Sequence, residues 1–168
     1  VWYKDGAEVR RNGPVAGATD TLGDGAYQVT KGEFQVEVFA FDGTSPSETA
    51  TESNTLTVVN SPPVLTGTPA IDVAPTPARF ESELFADTED VTVTDNDPED
   101  TTTLTYQWQK MPAGAAAWED IPGATTTTLT NMDGTVDFVK GDEVRLAVGA
   151  ADGTDESESP VFSEAVTI

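Results

Sequence analysis

The chain has no cysteine and no histidine, and only 8 lysines and arginines against 30 acidic residues. Without cysteine there are no disulfides, no thiolate nucleophile and no thiolate metal site. Without histidine the commonest general base and the commonest transition-metal ligand are gone. Ser45, Ser47, Ser157 and Ser159 therefore have no imidazole to activate them. The shortage of positive charge leaves a net charge of −22. Nucleic-acid backbones need a basic face, so a nucleic-acid partner is excluded, and an anionic membrane surface repels the chain. No apolar run approaches the length of a membrane span, so direct insertion is not expected either. The opening at Val1-Trp2 carries no targeting segment and reads as an internal piece of a longer protein.

What the chain does have is Thr, Val, Ala and Gly, a mixture that favours strands and turns. No usable window has helical periodicity. Period-two alternation is plain at Phe34, Val36, Val38 and Ala40, at Leu104, Tyr106 and Trp108, and at Val144, Leu146, Val148 and Ala150. Asp42-Gly43 and Asp152-Gly153 follow two of these strands and read as turns. Leu56 and Val58, and Val166 and Ile168, read as one closing strand in each half of the chain. Pro69, Pro75 and Pro77 confine their neighbourhood to a sheet edge.

The chain repeats itself. Trp2 lies 106 positions before Trp108, and Gly17-Ala18-Thr19 lies 106 before Gly123-Ala124-Thr125. Lys31-Gly32-Glu33 answers Lys140-Gly141-Asp142. Asp42-Gly43-Thr44 and Ser53 to Val58 answer Asp152-Gly153-Thr154 and Ser163 to Ile168 at an offset of 110. The order is collinear, which fixes the organisation: residues 1–58 are the C-terminal part of one module, 59–63 (Val-Asn-Ser-Pro-Pro) a stiff linker, and 64–168 a complete module. The first copy lacks a counterpart of residues 59–107, which reads as its first two strands. Its apolar face then needs strands from elsewhere, either from the parent chain or from another chain by strand addition.

Short strands, frequent turns and one tryptophan on a central strand predict an all-β fold of tandem immunoglobulin-like β-sandwich modules, the first of them partial. Trp108, and Trp2 in the first copy, are expected as core plugs. Trp118 has no match in the first copy and is expected either to pack over a sheet edge or to make an exposed contact. Asp95-Asn96-Asp97, Leu104-Thr105-Tyr106-Gln107-Trp108, Ile121-Pro122-Gly123-Ala124-Thr125, Lys140-Gly141-Asp142 and Ala151-Asp152-Gly153-Thr154 together resemble the immunoglobulin-like and cadherin-like repeats of large bacterial and archaeal surface proteins. Related modules decorate phage particles. The resemblance implies a stiff extracellular spacer or adhesive stalk, or a virion module. One departure is Asp97-Pro98-Glu99-Asp100, which stands where the family has Asp-Gly-Asp.

The sharpest chemical feature is the acidic run Asp95, Asp97, Glu99 and Asp100, with Asp152 expected at the same end of the sandwich, where the modules join. Calcium takes 6–8 hard oxygens of this type. The competing reading is a solvated turn, since Asp, Asn and Pro are ordinary turn residues. No cofactor is required by anything else in the chain. Glycoside hydrolysis needs two carboxylates across a cleft, and no acid here is set in an apolar pocket. Trp118 and Phe162 are the candidates for an exposed aromatic contact with a glycan or another cell-surface ligand. Otherwise the expected partners are neighbouring copies or adjacent modules.

Overall fold

The computed structural model describes residues 1–14, 19–23, 27, 29–131 and 137–168. Gly17 and Ala18 of the repeat alignment lie outside the described residues. The fold is all-β and antiparallel, with no helix among the described residues. Contacts divide the chain into two compact units: Val1–Asn60 with Asp97–Glu99, and Ser61–Asn96 with Asp100–Ile168.

The second unit contains β6 (Val64–Thr66), β7 (Ala70–Ala74), β8 (Glu83–Asp87), β9 (Thr92–Thr94), β10 (Thr103–Met111), β11 (Glu119–Asp120), β12 (Thr128–Leu129), β13 (Glu143–Ala151), β14 (Val161–Phe162) and β15 (Val166–Thr167). One sheet runs β11-β10-β13-β14, with β15 also on β13. The other runs β12-β8-β7, and β6 pairs with β9. Alternation explains the core between them. Val144, Leu146, Val148 and Ala150 on β13 and Trp108 on β10 are each 0% exposed. They meet Leu65, Leu84 and Leu129 from the strands opposite, with Ile71, Val73, Ala86 and Val93 packed at the margin. The result is a β-sandwich. The Trp108 indole N–H donates to the Thr126 carbonyl at 2.9 Å, so the largest core side chain leaves no polar atom unsatisfied.

The first unit holds β1 (Trp2–Lys4), β2 (Ala7–Arg10), β3 (Gly32–Val38), β4 (Thr51–Glu52) and β5 (Leu56–Val58), in the order β2-β1-β3-β4 with β5 also on β3. The register reproduces the repeat. Trp2 faces Val36 as Trp108 faces Leu146. Phe34 faces Leu56 as Val144 faces Val166, and Val38 faces Thr51 as Val148 faces Val161. Side-chain hydrogen bonds repeat as well. Ala40 N donates to Ser47 Oγ and Ala150 N to Ser157 Oγ, both at 3.1 Å. Asp42 Oδ1 accepts the amides of Thr44 and Ser45, and Asp152 Oδ1 those of Thr154 and Asp155.

The closing strands expected at Leu56 and Val58 and at Val166 and Ile168 are β5 and β15. Each is preceded by a further short strand, β4 or β14, and Ser53 and Ser163 stand between: each hydroxyl takes a main-chain amide and donates to the next carbonyl. Two expectations are revised. The stretch 64–94 holds four short strands rather than two, since turns at Gly67 and at Thr88–Val91 fold it back on itself. Its first turn demands glycine: Gly67 has a φ of +95°, and a Cβ there would lie 1.9 Å from the Asp90 carbonyl oxygen. Trp2 is only half-buried, unlike Trp108.

The physical reason for the last difference is the missing cover. No described strand of the first unit corresponds to β6, β7, β8, β9 or β12. Phe34 is buried, but Val38 is 60% exposed where its counterpart Val148 is 0%. A groove lined by Val36, Val38, Phe39, Phe41 and Pro46 lies on this unit.

Candidate functional sites

The turn after β9 carries the acidic run. One carboxylate oxygen from each of Asp95, Asp97 and Asp100 lies within 4.8 Å of the others. Asp97 is buried, and Asp95 and Asp100 are half-buried. Two oxygens bound to one calcium lie no more than about 5 Å apart, twice the usual metal–oxygen distance. The three carboxylates therefore fit around such an ion, with carbonyls and water as the remaining ligands. Glu99 is exposed and outside this group. Asp152 is also outside it: its carboxylate organises the turn after β13 through the amides of Thr154 and Asp155, both at 2.7 Å.

Asp42 does the equivalent work in the first unit. The amides of Ser45 and Thr44 donate to it and hold its carboxyl below the usual aspartate range. Asp142, 3% exposed, also works on the backbone. It accepts the Ala113 amide at Oδ1 and the Val139 amide at Oδ2, each at 3.0 Å.

Trp118 and Phe162 do come together, but around a residue that sequence reasoning did not single out. The Arg145 guanidinium lies over both rings, 4.4 Å from the Trp118 centroid and 4.1 Å from that of Phe162. Arg145 Nε donates to Gln109 Oε1 at 2.8 Å, and Gln109 Nε2 donates to Asp120 Oδ1 at 2.8 Å. Partial burial lowers the Arg145 pKa, without threatening its charge. The arrangement follows from pairing: Gln109 sits opposite both Arg145 and Asp120, so the three form a row across the outer face of the sheet. Alternation could have found them, since Gln109 and Arg145 are one step out of phase with Trp108 and Leu146. Trp118 is thus neither simply sheet-edge packing nor a bare platform; it is one wall of a cation clamp.

No family model matches the chain, and no curated protein matches it.

Proposed function

We propose that this chain is part of a tandem array of immunoglobulin-like modules that serves as a non-catalytic, stiff spacer in an extracellular surface or filament protein. The observation that carries this reading is the recurrence of the same strand register and side-chain hydrogen bonds in two copies on one chain. A protein that repeats scaffold bonds while varying its surface is built for architecture. The tryptophan plug between a five-stranded and a three-stranded sheet supports the immunoglobulin-like assignment. Strong acidity suits a solvated outer coat. Its partners are adjacent modules and neighbouring copies.

Calcium is the cation for the turn at Asp95, Asp97 and Asp100, where it would offset the repulsion of three gathered carboxylates and stiffen the loop. A second reading, a phage virion module that touches host glycans, is favoured by the aromatic clamp on an outer sheet face. Immunogold labelling with an antibody against the chain tests both. Gold on intact, unpermeabilised cells is the expected result, and gold on purified virions would favour the second reading. Gold only inside permeabilised cells would overturn both.

A further inference from the structure

In a chain with 30 acidic residues, Arg145 has no carboxylate partner among the described residues, where the ion pairs include Arg10–Asp20, Arg11–Glu8 and Lys110–Glu119. Its position is nevertheless tightly defined. The guanidinium lies over two rings, 4.4 Å from the Trp118 centroid and 4.1 Å from that of Phe162, and Nε is committed to Gln109, which Asp120 holds in turn. Guanidinium has five N–H donors, and one is used here. The remaining four are on the two Nη atoms, which form the other edge of the fork. That edge matches the two oxygens of a carboxylate, which it can bind bidentately. Partial burial beside the rings also strips water from the cation, so an ion pair made there is worth more than one made by a freely solvated arginine.

We propose that Trp118, Arg145 and Phe162 form a binding site for the carboxylate of an acidic sugar. The carrier of the carboxylate has to sit against the rims of the two rings, and Phe162 is 39% exposed. The C–H faces of a pyranose suit an aromatic rim. A single uronate also brings one negative charge, whereas a second copy of this chain would bring a net charge of −22. At physiological salt the Debye length is about 8 Å, so distant acids weaken the binding of a small anion only modestly. The site stands independently of the spacer reading: surface labelling can fail while binding holds, and the reverse.

The test uses the full chain at physiological ionic strength and follows the Arg145 Nε–H resonance by NMR. The probes are digalacturonate, its neutral digalactose counterpart and sodium acetate. Digalacturonate is expected to shift the resonance saturably, and digalactose to leave it unmoved. Arg145→Gln and Arg145→Lys should both weaken binding about 10- to 100-fold, read from backbone amides, since lysine keeps the charge and loses the fork. Unchanged melting temperatures would show that both variants fold. The proposal is overturned if digalacturonate shifts nothing, if digalactose or acetate binds equally well, or if Arg145→Lys binds like the parent. Self-association abolished by Arg145→Gln would overturn it too, by assigning the clamp to a carboxylate of another copy.

Discussion

Ser53 and Ser163 make the same two bonds in the two copies. Ser53 Oγ accepts the Val36 amide at 3.0 Å and donates to the Asn54 carbonyl; Ser163 Oγ accepts the Leu146 amide at 2.9 Å and donates to the Glu164 carbonyl. What differs is burial. Ser163 is 7% exposed, and Ser53 faces solvent. Ser163→Ala leaves the Leu146 amide buried without its acceptor and is expected to cost about 1–3 kcal/mol. Ser53→Ala lets water replace the hydroxyl and is expected to cost less than about 0.5 kcal/mol. Denaturant melts of the two variants check the contrast; equal losses would mean that the two faces are equally dry.

Val38 and Val148 offer the same comparison in the core. Val148→Ala should destabilise the second unit by about 2 kcal/mol, the lost methyls plus a cavity. Val38→Ala, at the corresponding and 60% exposed position, should change stability by no more than about 0.5 kcal/mol. Calorimetry reads both. A large loss at Val38 would show that its face is covered in solution.

How much of this was legible beforehand depends on the range of the interaction. Period-two alternation placed β3, β10 and β13 and put Trp108 and Leu146 in the core, because a buried face writes itself directly into every second residue. The collinear motifs gave the repeat, and the strand register follows it, with Trp2 opposite Val36 as Trp108 is opposite Leu146. Ser53 and Ser163 stand at matching positions of the repeat, but a hydroxyl's choice of a backbone partner depends on the facing strand. The acidic run was visible, yet only folding gathers Asp95, Asp97 and Asp100 and sends Asp152 to its own turn. The Arg145 cluster is not legible in the sequence because its two rings come from residues 118 and 162, brought together only by the sheet.

Asp42 gives a pH dependence of known sign. Backbone amides favour its charged form in the folded state, so its pKa there lies below the unfolded value. Its contribution is therefore present at neutral pH and disappears as pH falls through the folded pKa. Carboxyl NMR titration should show Asp42 titrating below the ordinary aspartate range. In Asp42→Asn, the acid side of the stability–pH curve should be flatter. An Asp42 that titrates within the ordinary range would contradict the turn geometry.

Calcium should raise the melting temperature on the order of 10 °C at a hundredfold excess over Kd, and a chelator should reverse the change. Asp97→Asn should abolish the shift, because one of the three gathered carboxylates is gone. Scanning calorimetry with calcium and with chelator measures this. Identical melts would remove the metal from the account and leave the turn solvated.

The spacer claim is tested most directly by pulling a single chain from its two ends. A module that holds length under load should give a distinct unfolding peak. The contour released should match the 108 residues spanned by Ser61–Ile168, about 350–390 Å fully extended before the folded end-to-end distance is subtracted. Smooth extension with no force peak would contradict a load-bearing spacer.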